Sequence, residues 1–95
     1  MARIISPEAA IILAELIAEH CLWEKNNMLT KDGFFFCTEE KLKPVINRGL
    51  EAQNKIIEQL IENNLIIKDV RGEPKKRYFK LKIKNIEKLY FGKNL

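Results

Sequence analysis

The side chains that most often carry catalysis are few in this sequence, and their spacing does not assemble them. The one histidine, His20, adjoins Cys21, but neighbouring residues on a helix point about 100° apart and make a poor nucleophile–base pair. Adding Cys37 gives three zinc ligands, one fewer than a structural site needs. The four glycines are too scattered for a phosphate-binding loop. The sequence therefore predicts no enzyme, no cofactor, no metal site and no small-molecule ligand, with His20 packed in or beside a core.

Positive charge is concentrated in one segment. The chain carries 17 Lys and Arg against 13 Asp and Glu, a net charge of +4. Counted from the sequence, residues 1–67 hold 7 cations and 10 anions, whereas residues 68–84 hold 8 and 2, a local excess of +6. Such a block favours a polyanionic partner, because neutralised phosphates release counterions. The alternative is a solvated basic surface that only aids solubility.

Length and composition indicate one globular domain over residues 1–95. The chain is 46% hydrophobic and 32% charged, which is ordinary for a folded soluble protein. Two cysteines do not make a disulfide framework, and residues 1–7 lack the layout of a signal peptide. The longest apolar run, residues 9–14, is far shorter than a membrane span. We therefore expect a cytoplasmic protein with no membrane contact.

The first two predicted elements are a long helix and a short strand. Ser6 is a capping residue and Pro7 suits the first helical position, so a helix begins there. Its apolar residues recur at helical spacing until residues 24–27. Asp32-Gly33 marks a turn, and Phe34–Phe36 is then too short for a helix and rich in strand formers. We expect a brief strand, continued by Cys37, that joins a later hairpin as its third member.

Two further helices follow, separated by a turn at residues 47–49. Thr38 caps the first of them. Pro44 leaves two alternatives, because the helix either stops near Leu42 or continues with a kink. The second runs from Leu50 to Asn64, where the asparagines supply a stop. Its predicted inner side holds Leu50, Gln53, Ile57, Leu60, Ile61 and Asn64, and its outer side holds Glu51, Ala52, Lys55, Glu58, Gln59 and Glu62.

The last predicted elements are a hairpin and a short helix. A strand over 65–70 and a turn over 71–74 lead to a strand over 78–84, in which Phe79, Leu81 and Ile83 alternate with lysines. Asn85 is then expected to cap a helix over 86–91. This order predicts an α+β fold, the winged helix-turn-helix, with a three-helix core, a β-hairpin wing and a short C-terminal helix.

That fold usually binds double-stranded DNA, and it predicts DNA-contacting residues on two elements, the second helix and the wing. The second helix of a helix-turn-helix enters the major groove, where its first turns contact base edges. A basic wing can contact the adjacent backbone or a minor groove. The candidate DNA-binding residues are therefore Thr38, Arg48, Glu51, Ala52, Asn54, Lys55 and Gln59 on the helices and Arg71, Lys75, Lys76 and Arg77 on the wing.

A protein-interaction module is the rival interpretation. The outer face of the long helix carries Glu51, Glu58 and Glu62, and negative charge beside phosphates is unfavourable, so the wing must supply most of the attraction. Trp23, Tyr90 and Phe91 lie near the apolar ends of the first and last helices. Those two helices would then be the contact surface. A homodimer through them is compatible with either interpretation.

Several stretches together resemble the N-terminal winged-helix domain of phage and bacterial replication-initiation proteins of the DnaD type, and the initiator winged helices of plasmids. These stretches are G-F-F-F-C-T-E-E-K-L at 33–42, I-I-E-Q-L-I-E-N-N-L-I at 56–66, R-G-E-P-K-K-R-Y-F-K-L at 71–81 and N-I-E-K-L at 85–89. The most specific part is the wing, with Gly72, Pro74, Arg77, Tyr78 and Phe79.

The resemblance implies a domain that helps open or organise a replication origin and that self-associates. It covers Ile12 to Leu89, but the family's C-terminal domain, which binds DNA and contacts the helicase loader, has no counterpart in these 95 residues. The long helix also starts Gly49-Leu50-Glu51, where family members more often have Ser or Thr. The resemblance therefore implies a small DNA-binding protein of a phage or mobile element rather than a complete replisome organiser.

Overall fold

A computed structural model of the chain describes residues 5–92. The ends of the predicted 1–95 domain, and with them the first residues of the N-terminal segment that lacks a signal-peptide layout, lie outside the described residues. The elements in order are α1 (Pro7–Lys25), β1 (Phe35–Phe36), α2 (Glu39–Ile46), α3 (Leu50–Glu62), β2 (Ile66–Arg71), β3 (Lys76–Leu81) and α4 (Ile83–Phe91). The strands form an antiparallel sheet in the order β1-β3-β2. The predicted α+β class is confirmed, and the arrangement is winged-helix-like. We call β2, β3 and their connecting turn the wing.

Helix α1 begins and ends where the sequence predicted. The Ser6 hydroxyl accepts a hydrogen bond from the Ala9 amide at 3.1 Å, and Pro7 occupies the first helical position. Its inner face, including Leu13 and Leu16, is fully buried. Glu19 on the same helix is buried as well, and its carboxylate meets the Lys41 ammonium of α2 at 3.2 Å. This ion pair satisfies a carboxylate that would be costly to bury alone.

Strand β1 joins the hairpin as predicted. Phe35 pairs with Phe79 of β3 and is fully buried, while Phe36 pairs with Tyr78 on the outer face of the sheet. Cys37 extends the pairing, because its amide donates to the Arg77 carbonyl at 3.1 Å. The short strand therefore carries one core side chain and one outer side chain.

Helix α2 continues through Pro44, which decides between the two alternatives. Thr38 is its N-cap, accepting from the Lys41 amide at 3.3 Å, and Asn47 ends it with a left-handed φ of 54°. Pro44 is exposed, so water can reach the Glu40 carbonyl that proline leaves without a helical donor. Lys43 keeps its place in the helix, although a residue before proline usually avoids helical geometry.

Helix α3 begins at Leu50 as predicted and ends at Glu62, two residues early. Gln53, Ile56, Ile57 and Leu60 form its buried face. Leu50 was predicted on that inner side, but its side chain is 47% exposed. As the first residue of the helix, it lies beyond the core that covers the following turns.

The boundary between the wing and α4 differs from the prediction. Strand β3 ends at Leu81, and Ile83, expected on the inner face of a strand, instead begins α4 and is exposed. The helix starts after Lys82, so Asn85 is not its cap. The Asn85 amide instead donates to the Asn64 carbonyl at 2.7 Å and ties α4 to the end of α3.

The core lies between α1, α2, α3 and the inner face of the sheet. Its cluster of buried side chains comprises Ala9, Ile12, Leu13, Leu16, Phe35, Cys37, Leu42, Ile56, Ile57, Leu60, Leu65, Ile66, Phe79, Leu81 and Ile86. No helix in the part of the chain that the structure describes is both long and apolar enough to cross a membrane.

Candidate nucleic-acid interface

A groove separates the wing from the starts of α2 and α3. It is lined by Thr38, Glu39 and Glu40 at the start of α2, by Leu50 at the start of α3, and by Val70, Lys75, Lys76 and Arg77 of the wing. The groove therefore brings the beginning of α3 and the basic wing to one side of the molecule, as expected from the sequence. Four of the eleven predicted residues, Thr38, Lys75, Lys76 and Arg77, line it.

A fully buried amide at the back of this region connects three elements. Gln53 donates from Nε2 to the carbonyl oxygens of Glu39, at 3.1 Å, and Arg48, at 2.8 Å. Its Oε1 accepts from Arg77 Nη2 at 2.9 Å. One side chain thus joins the start of α2, the turn before α3 and strand β3. We call Gln53 and Arg77 the buried polar pair.

Arg77 was predicted to contact DNA from the basic wing, but the structure buries its side chain. Its residue exposure is 8%, and its guanidinium donates to Gln53 and, from Nη1, to Asn54 Oδ1 at 3.0 Å. Burial lowers its pKa, against the opposing effect of the nearby Glu39 and Glu40 carboxylates. Arginine does not lose its proton in proteins, so the charge persists and needs these partners.

Arg71, the other predicted wing arginine, is engaged on the opposite face of the sheet. Its guanidinium lies 2.7 Å from Asp32 Oδ2 and 2.9 Å from Asp69 Oδ2. It also stacks on Phe34, with the guanidinium carbon 4.3 Å from the ring centre. The Arg71 guanidinium holds the pKa of Asp32 down to about 2, with the Thr30 hydroxyl helping. Arg71 therefore fixes the loop before β1 to the wing.

The two wing lysines predicted to contact DNA, Lys75 and Lys76, are exposed. Lys75 lies in the turn between β2 and β3, and Lys76 begins β3. The Lys76 ammonium sits 4.6 Å from the Phe36 ring centre, towards the outer face of the sheet. Both side chains are exposed to solvent and can contact the phosphates of a DNA backbone. Of the predicted wing cations, these two fit that role.

The seven predicted residues of the helices and the turn between them fall into three groups. Glu51 and Lys55 are exposed on α3, and Ala52 lies beside them, half-buried. Arg48 is paired with Glu8 of α1, with its Nη2 2.6 Å from the carboxylate. Three others have internal contacts: Thr38 caps α2, Asn54 accepts from Arg77, and Gln59 Oε1 accepts from the Ser6 amide at 2.8 Å. Gln59 therefore faces the start of α1 rather than the groove.

Sequence reasoning missed two apolar residues of the groove. Leu50 and Val70 are 47% and 50% exposed, and both line it. The alternation of residues along the strand could have indicated Val70, because Val70 pairs with Arg77 and lies on the same inner face of the hairpin as buried Ile66. For Leu50, the helical spacing of apolar residues indicated the inner side of α3 and not the groove.

None of the three residues first considered for catalysis, His20, Cys21 and Cys37, is among those that line this groove. Burial raises the pKa of the Cys37 thiol to about 12, which disfavours the nucleophilic thiolate. His20 packs edge-on against Phe35, with ring centres 5.9 Å apart, and Cys21 is exposed. Among residues 5–92, no group of three His, Cys, Asp or Glu side chains is placed to hold a metal ion.

Comparison with known proteins identifies two similar solved structures. No family model matches the chain, and no curated protein matches it. The N-terminal domain of a DNA binding protein superimposes with a TM-score of 0.65 at 27% identity, covering 96% of this chain and 77% of that one. The structure of a Rep-DNA complex gives a TM-score of 0.64 at 27% identity, covering 96% and 78%. The fold is thus shared over nearly the whole chain.

The buried polar pair predicts a coupled effect on stability. Gln53→Leu and Arg77→Met each leave a buried partner unsatisfied and should each lower the free energy of unfolding by roughly 1–3 kcal/mol. The double variant should lose less than the sum of the two, by about 1 kcal/mol or more, because it removes both polar groups together. Urea unfolding of the four proteins measures this coupling. Strictly additive losses would contradict it, and exposed Lys76→Met is the control, with an expected change below about 0.5 kcal/mol.

The Arg71–Asp32 contact predicts a depressed carboxyl pKa. An NMR titration should give Asp32 a pKa of about 2, and Arg71→Gln should raise this pKa towards its ordinary value of 3.8. Because the folded pKa is lowered, the contact stabilises the fold above about pH 4 and loses its effect as the pH falls towards 2. Lys31→Gln removes a neighbouring cation and serves as the control. An Asp32 pKa that does not move in Arg71→Gln would refute the assignment.

Proposed function

We propose that this chain binds double-stranded DNA, with the first turns of α3 in the major groove and the wing lysines Lys75 and Lys76 on the adjacent backbone. The observation that carries the proposal is the groove itself, which is lined by Leu50 of α3 on one side and by Lys75 and Lys76 of the wing on the other. A helix fits the major groove, and lysines beside it can neutralise phosphates. We further propose that the chain acts by binding rather than as an enzyme, and that it works in the cytoplasm.

The two similar structures support the proposal. One is described as the N-terminal domain of a DNA binding protein and the other as a Rep-DNA complex, and both cover 96% of this chain. Together with the resemblance of the wing to DnaD-type domains, the second favours a part in replication initiation of a phage or mobile element. Transcriptional control by the same surface is the alternative role.

The charge available to DNA is smaller than the sequence count implied. Arg71 and Arg77 belong to the +6 segment, but carboxylates and amides of the protein hold both guanidinium groups. Lys75 and Lys76 are left as the exposed cations at the end of the wing. Glu51 on the exposed side of α3 opposes phosphate contact. Attachment to the backbone should therefore depend on the wing lysines.

The wing lysines predict a change in salt dependence. In Lys75→Ala/Lys76→Ala, affinity for a mixed-sequence duplex should fall, because fewer phosphates are neutralised. The slope of log K against log salt should decrease by about 0.9 for each phosphate that the variant no longer neutralises. Fluorescence anisotropy at several salt concentrations measures both quantities.

The matched control is Lys84→Ala/Lys88→Ala, which removes the same charge from α4. This helix follows the opposite end of β3 from the wing turn, so its variant should keep the wild-type slope. Equal effects of the two double variants would mean that net charge, not the wing, drives binding. Undetectable binding of the wild-type chain at low salt would refute DNA binding itself.

A second candidate function is self-association through α1 and α4. On α4, Tyr90 and Phe91 are 51% and 68% exposed, and on α1, Leu22 is 52% exposed. Exposed apolar side chains of this size are typical of contact surfaces when they lie together. Trp23, the other residue that motivated this interpretation, instead packs on Phe36 with ring centres 5.0 Å apart. The proposed homodimer surface therefore centres on α4.

Self-association predicts a concentration-dependent mass that depends on α4. Sedimentation velocity should show the wild-type chain shifting towards a dimer as its concentration rises, and Tyr90→Ser/Phe91→Ser should remain a monomer, because the substitutions remove the apolar area. Met28→Ser, which changes an equally exposed side chain in the loop after α1, should behave as wild type. A wild-type chain that is monomeric at every concentration would refute the dimer and leave DNA binding unaffected.

A further inference from the structure

Two aliphatic side chains stand open to solvent inside the groove. Leu50 is the first residue of α3, and Val70 lies across the groove on β2. About half of each side chain is exposed. The preceding residue, Gly49, offers no capping side chain that would cover the start of α3. A ligand entering the groove therefore meets apolar surface from both walls.

The charges that line the groove determine which part of a DNA duplex can bind in it. Glu39 and Glu40 line the groove beside Leu50, whereas the exposed lysines Lys75 and Lys76 belong to its wing side. Carboxylates repel phosphate oxygens, so the backbone is favoured only beside the lysines. Base edges carry no net charge, and they can approach the acidic and apolar part of the groove. Backbone and base contacts are thereby separated within one surface.

We propose that Leu50 and Val70 recognise the C5-methyl groups of thymine in the major groove. The inference rests on the proposed function and adds a chemical preference to it. The first residues of the second helix of a helix-turn-helix reach base edges, and Leu50 has that position. Thymine presents a methyl group at the major-groove edge, and apolar side chains are its natural contacts. The chain accordingly prefers duplexes that offer thymine methyls to this groove.

The physical effect is the removal of apolar surface from water on both sides of the contact. A methyl that is fully covered should change affinity by about fourfold. The contact adds no charge, so it should leave the salt dependence unchanged. Base preference and salt slope are therefore separate readouts, the first belonging to the two aliphatic residues and the second to the wing lysines.

The test compares two duplexes that differ only in this methyl group. The full chain is titrated with an alternating dA-dT duplex and with an alternating dA-dU duplex at the same low salt. Wild type should bind the dA-dT duplex about fourfold more tightly for each covered methyl. Leu50→Ala should bring the affinity ratio close to one, and Val70→Ala should reduce it. Both positions are half-exposed, and thermal unfolding checks that the variants fold.

The control is Ile11→Ala, which truncates a comparably exposed aliphatic residue of α1, outside the groove, and it should keep the wild-type ratio. Equal wild-type affinity for the two duplexes overturns the methyl contact while DNA binding stands. A preference that survives in both Leu50→Ala and Val70→Ala comes from duplex shape and also overturns it. Failure of wild type to bind either duplex overturns the proposed function together with this inference.

Discussion

The hydrogen bond between Gln53 and Arg77 is the constraint on which the geometry of the groove depends. Arg77 is only 8% exposed, so its guanidinium needs hydrogen-bond partners. The fully buried Gln53 side chain supplies one through Oε1, while its Nε2 donates to the carbonyl oxygens of Glu39 and Arg48. The wing therefore has a fixed position relative to both α2 and α3. Without this link and the Arg77–Asn54 hydrogen bond, the wing would be held by its pairing with β1 and by the Arg71–Asp32 contact on the opposite face of the sheet. A preformed groove is the result.

The internal contacts of the arginines determine which side chains carry the exposed positive charge of the molecule. Two of the three arginines nominated for DNA contact, Arg71 and Arg77, stabilise the wing from its two faces, and Arg48 joins α1 to the turn before α3. The arginines thus shape the surface, and the flexible lysines carry its exposed charge. This division agrees with the chemistry of the two side chains, because arginine forms directed pairs and lysine acts as a hydrated point charge.

Much of the fold could be predicted because its signals are local. Ser6, Thr38 and the period of α3 located three helices, and the aromatic run at 34–36 indicated the third strand. The errors arose where tertiary contacts override local pattern. Ile83 continued the alternation of β3, yet the chain turns into α4 after Leu81. Arg77 was assigned to the surface for its charge, although it has the spacing of buried Phe79 and Leu81. Its partner, Gln53, lies 24 residues away in sequence, so no local pattern revealed the pair.

The central claim is that α3 and the wing meet a duplex together. Amide chemical-shift mapping by NMR during titration with a mixed-sequence duplex tests it most directly. We predict perturbed amides at Thr38, across 50–55 and across 72–76, with α4 and the end of α1 unchanged. Perturbations confined to α1 and α4, with an unchanged groove, would contradict the claim.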